Sequence, residues 1–156
     1  MRRLAVLVLA AVALAGCAER ENADYVDAFD ATSKGLAQRY GLDRDPPANA
    51  TAAQLAARIA RIQGLLREWA RRLERVDPPN VVDDAHARYI AGLRGFARDL
   101  DRTAAALRGG DVQAAQRQLD SGRAMSARTR ADLRYAQERF DRFNLEVHGL
   151  ALVGEG

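Results

Sequence analysis

Apolar residues recur along this chain in alternating steps of four and three, and that spacing predicts helices. The clearest stretch is Leu55, Ile59, Ile62, Leu66, Trp69, Leu73 and Val76, which keeps the alternation without a slip, as a coiled-coil-like seam does. Thr51-Ala52-Ala53-Gln54 stands before it and fits a capping box, with the hydroxyl at N-cap and the amide at N3. A second helix is expected to begin around Asp77-Pro78-Pro79, since a proline in the first turn loses no needed N–H. It continues through Val82, His86, Tyr89, Leu93, Phe96, Leu100, Thr103 and Leu107 until Gly109-Gly110 ends it. Asp111 is then the natural N-cap of a third, long helix from Val112 to Val147. Gly122, Ser126 and Thr129 give that helix a weak middle. Neighbouring helices approach closely there, or the helix bends, or Met125 fills the space. An earlier and shorter helix, with a thinner core face, is marked by Tyr25, Phe29, Leu36 and Tyr40 and stopped by Gly41 and the Pro46-Pro47 connection.

Short connections place consecutive helices side by side, and each apolar stripe needs the others to cover it. The expected fold is therefore all-α, an antiparallel up-and-down four-helix bundle with coiled-coil-like seams over residues 25–148 and a tail at 149–156. A three-helix bundle with a loosely docked first helix is the alternative. Glu68 with Arg72 and Glu138 with Arg142 stand at i,i+4 in the favourable order and read as solvated faces.

The first residues follow a different logic. A basic start, Met1-Arg2-Arg3, leads into an apolar run from Leu4 to Ala13 and then Leu14-Ala15-Gly16-Cys17, so residues 1–16 read as a secretory signal peptide. The Leu-Ala-Gly-Cys ending resembles the lipobox of bacterial lipoproteins. That resemblance implies a diacylglyceryl group on Cys17, cleavage before it and acylation of the new N-terminus. Three other readings are open, one of them a cysteine that falls by coincidence in an Ala/Leu-rich signal. Cleavage after Ala13-Leu14-Ala15 would leave a free thiol, a liability in an oxidising compartment, and retention as an anchor would ask an apolar run shorter than about 20 residues to span a bilayer. Residues 17–24 are expected to be the lipidated cysteine and a short tether, reaching at most about 25 Å.

The formal net charge of +3 overstates the basicity of the mature chain, because loss of Arg2 and Arg3 leaves 22 basic residues against 21 acidic. No strongly cationic surface is implied, and no nucleic-acid-binding module is evident. Twenty-three arginines against the single Lys34 reflect a GC-rich genome rather than a function. In the expected topology Arg71, Arg72 and Arg75, the acidic Glu19, Glu21 and Asp24, and the tail Leu150-Ala151-Leu152-Val153 gather at the end nearest the bilayer.

Chemistry is sparse. Metal sites in helical bundles use paired Glu-x-x-His motifs; the chain offers only Asp83-Asp84-Ala85-His86. His86 falls on the seam and reads as a partly buried histidine bonded to a neighbouring helix, while His148 favours a helix C-terminus. Haem attachment needs Cys-x-x-Cys-His, which the chain lacks. Ser33, Ser121 and Ser126 lack a nucleophile elbow. Asp83-Asp84, and Asp99 with Asp101, read as exposed charge. Gly109-Gly110-Asp111 is a helix–helix turn rather than a phosphate cradle.

Pro78-Pro79-Asn80-Val81 followed by His86-Ala87-Arg88-Tyr89 is similar to an arrangement in small helical lipoproteins of high-GC bacteria. The resemblance covers about the middle third of the chain and implies an exported helical bundle, with no catalytic residue to carry over. The expectation is a non-enzymatic, lipid-anchored interaction or scaffold module. Membrane lipid through acylated Cys17 and an envelope protein are its partners, it uses no cofactor, and it sits at the outer face of the cytoplasmic membrane or, alternatively, at the outer membrane. The alternative function is a small-ligand binder with a pocket at the under-filled centre, formed by Trp69, Phe96, Gly122, Met125, Ser126 and Thr129.

Overall fold

The computed structural model describes residues 20–147, all of whose regular structure is helical. Cys17, His148 and Leu150-Ala151-Leu152-Val153 lie outside the described residues. Residues 20–33 form α1, followed by α2 (Leu36–Arg39), α3 (Ala52–Leu73), α4 (Asp83–Asp99), α5 (Asp101–Arg108), α6 (Val112–Asp120) and α7 (Ala127–Arg142). The result is an all-α, bundle-like domain. α3 packs against α4 and α5, α4 against α7, and α5 against α6. Residues 20–24, expected as tether, are already helical.

Helix boundaries follow local chemistry. Thr51 accepts from the Gln54 N–H at 3.3 Å while the Gln54 side chain accepts from the Thr51 N–H at 2.8 Å, the capping box the sequence announces. Asp111 caps α6 by accepting from the Ala114 N–H at 2.8 Å. The first helix divides at Gly35, whose φ of 71° lies in the left-handed region. The short α2 that follows docks on α3 where the Tyr40 ring lies over Gly64, so close that a Cβ on that glycine would stand 2.7 Å from the ring.

Two expected helices take a different form. α4 starts at Asp83 rather than around Asp77-Pro78-Pro79, because a proline disfavours the helical region at the residue before it, and two in succession disfavour it at both Asp77 and Pro78. A turn from the Val82 N–H to the Pro79 carbonyl, 2.9 Å, then leads into α4, and Asp83 and Asp84 complement its positive N-terminus. The long helix expected from Val112 to Val147 is two helices. Gly122 adopts φ 65°, the Ala124 N–H closes back on the Gln118 carbonyl at 2.9 Å, and Ser126 caps α7 by accepting from the Thr129 N–H at 3.2 Å. The small residues of the weak middle are thus a stop and a start.

α4 and α7 approach one another closely at two glycines of α4. A Cβ added at Gly92 would stand 2.5 Å from Leu133 Cδ2, and one at Gly95 would stand 2.5 Å from Thr129 Oγ1. A Cβ at either position would force the facing side chain to shift, so Gly92 and Gly95 give Leu133 and Thr129 the room they occupy against α4. The core they help close includes Phe29, Leu36, Leu66, Leu73, Tyr89, Leu93, Leu100 and Phe140, all nearly or fully removed from solvent.

Candidate functional site

The N-terminal helix enters the core through aromatic side chains. Phe29, fully buried, meets Tyr89 of α4 and Phe140 of α7 with ring centroids 5.3 Å and 5.8 Å away, and Tyr25 meets Phe140 at 6.3 Å. Such tilted and edge-on pairs add to the burial of the rings themselves. Trp69 of α3 packs edge-on against Tyr89 at 5.6 Å and donates its indole N–H to Thr32 Oγ1 at 2.8 Å. Thr32 passes that bond back to the Phe29 carbonyl at 2.6 Å, and Arg72 Nη1 donates to the Thr32 carbonyl at 3.1 Å, satisfying the exposed end of α1.

His86 is the polar centre of this socket. Its Nε2 lies 3.0 Å from the Leu73 carbonyl, which can only accept, so Nε2 carries the proton and Nδ1 accepts from the Tyr25 hydroxyl at 2.9 Å. One imidazole therefore joins α1, α3 and α4. Burial lowers its pKa, opposed by the Leu73 carbonyl and by the field of Asp83; burial likewise raises the Tyr25 hydroxyl above its ordinary value. In the neutral ring these two partners fix the tautomer, with the proton on Nε2.

A second polar constellation holds the α6–α7 connection. Asp99 Oδ2, at the end of α4, accepts from the Ser126 N–H at 2.8 Å and the Thr129 hydroxyl at 2.7 Å, and the Ser126 hydroxyl donates to Thr129 Oγ1 at 2.9 Å. Partial burial works to raise the Asp99 pKa, but the hydrogen bonds from Ser126 and Thr129, with the field of Arg102, together hold it below the ordinary carboxylate value. Nearby, Gln63 of α3 donates both to the Ala97 carbonyl and to Asp101, each at 2.7 Å, where α4 gives way to α5 at Leu100. Asp99 and Asp101 therefore serve as braces between helices.

The expected ligand-pocket residues divide between these places. Gly122, Met125, Ser126 and Thr129 come together at the α6–α7 connection, whereas Trp69 stands in the α1 socket and Phe96 is a half-buried neighbour of the core on α4. Three open grooves border α1, and none is lined by these six residues. One groove joins Asn22, Ala23 and Val26 to Phe143 and Leu145; another joins Arg20, Asp24 and Tyr25 to Arg75, Val76 and Pro78. The start of α1, the 75–78 turn and the 143–147 segment thus share one end. Of the arginines expected there, Arg71 and Arg72 are drawn back onto Glu68, at 2.5 Å and 3.3 Å.

On the α4–α7 flank, Asp84 accepts from the Tyr135 hydroxyl and faces Arg139, and Arg88 pairs with Asp132 at 2.8 Å while lying over the Tyr135 ring. Sequence spacing alone did not reveal these links, because they join residues 44 to 55 positions apart across two helices. Among the described residues no group of three or more His, Cys, Asp or Glu side chains could hold a metal ion, and no helix is long and apolar enough to cross a membrane. Comparison with protein-family models, with curated proteins and with solved structures returned no match.

Proposed function

We propose that the chain is a lipid-anchored, extracytoplasmic helical module that offers its surface to a protein partner and performs no catalysis. Leu14-Ala15-Gly16-Cys17 supplies the anchor in this reading. The observation that carries it further is that the chain is already helical at Arg20, and that this helix is fastened into the core by Tyr25, Phe29 and Thr32. A membrane-held Cys17 would then act on the bundle through a rigid, docked element rather than through a loose tether. Two or three acyl chains, at about 0.8 kcal/mol per buried CH2, hold such a protein stably where one would be marginal.

In the finer reading of the fold, α1–α2, α3, α4–α5 and α6–α7 are four antiparallel arms, each but α3 interrupted once. On this reading the start of α1, the 75–78 turn and the 143–147 segment face the outer surface of the cytoplasmic membrane, with residues 42–50 and the Gly109-Gly110 turn farthest from it. The small-ligand reading gains no comparable support, since the Trp69 indole is already bonded to Thr32. Growth of cells with labelled palmitate, followed by fractionation, tests the proposal. Wild-type protein is expected to carry label and stay with the envelope, and Cys17→Ser to be unlabelled and released; an unlabelled, released wild type contradicts it.

A further inference from the structure

Charge is spent unevenly in this domain. The ion pairs among the described residues, Glu68 with Arg71 and Arg72, Glu74 with Arg94, Arg88 with Asp132 and Arg139 with Asp84, leave the arginines of the 98–130 stretch out. That stretch holds seven arginines and four aspartates. Its carboxylates hydrogen-bond to neutral groups of the domain rather than pairing with these arginines, Asp99 to Ser126 and Thr129, Asp101 to Gln63, Asp111 to the Ala114 N–H and Asp120 to Gln116, so the stretch keeps an excess of positive charge.

Three of the arginines converge on the α6–α7 connection. Arg130 Nη1 donates to the Gly122 and Met125 carbonyls at 2.9 Å and 2.6 Å, so its guanidinium lies over the connection. Arg123 is an exposed member of it. Arg102 is near enough to Asp99, which binds the Ser126 N–H, for its field to act on that carboxylate. Bonds to carbonyls leave the positive charge of Arg130 uncancelled. α6, which leads into the connection, exposes Val112 and Leu119, 40 % and 44 % accessible and seven residues apart on one helix face.

We propose that α6 and the α6–α7 connection form a docking surface for an acidic polypeptide segment that also carries apolar side chains. Guanidinium forks match carboxylates in pairs. Arginine beside exposed aliphatic side chains and the half-buried Met125 is the composition of a protein interface. A polyphosphate would satisfy the arginines but leave Val112 and Leu119 uncovered. The bilayer is out of reach on the anchored reading, on which this last step rests: the connection meets α4 at its far end, about 25 Å from where that helix starts.

The test uses the full chain in detergent and a labelled synthetic peptide of repeated Glu-Glu-Leu, with inorganic polyphosphate as competitor, read by fluorescence anisotropy. Binding is expected at about 0.05 M salt and to weaken about tenfold or more at about 0.5 M, where exposed charges are screened. Arg102→Gln/Arg123→Gln is expected to weaken binding about tenfold, in line with the loss of two charge-assisted contacts, and Leu119→Ser to weaken it severalfold, with circular dichroism unchanged. Arg67→Gln, on α3, leaves binding intact. No binding at low salt overturns the proposal. So does binding indifferent to both variants, or polyphosphate binding as tight as the peptide's with no effect of Leu119→Ser. The palmitate readout at Cys17 is independent of all these outcomes, so failure here and failure of the anchored reading are distinguishable.

Discussion

The Tyr25 hydroxyl donates to His86 Nδ1 at 2.9 Å while the opposite nitrogen of the same ring is held by the Leu73 carbonyl at 3.0 Å, so both ring nitrogens are committed in the neutral form. Protonation would turn Nδ1 from acceptor to donor and place a cation in the buried site against the Tyr25 and Phe29 rings. The unfolded chain carries no such penalty.

Stability should therefore fall with acidification. The folded His86 pKa lies below the unfolded value of about 6.5, so the unfolded state binds the proton more readily and stability present above about pH 6.5 is lost as pH drops through that value. Urea midpoints of wild type should decrease from neutral pH to mildly acidic pH, and His86→Gln should show a smaller decrease over the same interval. Equal slopes would remove His86 from the account.

Gly92 and Gly95 should resist enlargement. Alanine at either position gains about 1 kcal/mol in helix propensity but forces its Cβ against Leu133 or Thr129, and overpacking of this kind costs about 1–3 kcal/mol. Thr129 is pinned by Asp99 and Ser126, so Gly95→Ala should be the more damaging in urea unfolding, and Gly92→Ala should be partly rescued by Leu133→Ala.

Asp99→Ala should cost about 1–3 kcal/mol, because it leaves the Ser126 N–H and the Thr129 hydroxyl without their charged acceptor. Ser126→Ala alone should cost about 0.5–2 kcal/mol as a lost N-cap. The double variant should cost less than the sum, since both residues act on the start of α7.

Thr32→Val should shift and broaden the emission of Trp69, the single tryptophan, because the indole N–H loses its acceptor on α1. An unchanged spectrum with unchanged stability would mean that Trp69 does not report the docking of α1.

The helical character of the chain and several of its boundaries were legible in the residues: Thr51 with Gln54, Gly109-Gly110 and Asp111 lie where their local chemistry puts them. The placement of His86 against a neighbouring helix was legible as well. What local pattern could not reveal was tertiary. Gly122, Ser126 and Thr129 keep the four-three spacing of a helix, yet a left-handed glycine followed by a serine cap ends one helix and begins another. Gly92 and Gly95 look unremarkable until Leu133 and Thr129 are seen against them. The first helix looked thin because its apolar residues are few, but Tyr25 and Phe29 are large and almost wholly buried. The arginines at the α6–α7 connection were hidden by an overall balance of charge, since only the folded chain shows that the ion pairs among the described residues lie elsewhere while residues 98–130 hold seven arginines against four aspartates.

The central claim is that the mature protein begins at a lipid-bearing Cys17, and the intact mass of the N-terminal fragment of envelope-purified protein tests it most directly. The expected fragment starts at Cys17 with the added mass of a diacylglyceryl group, with or without a further acyl chain. A fragment that keeps residues 1–16, or one that starts at Gly16 after cleavage behind Ala15 with an unmodified thiol, would contradict it.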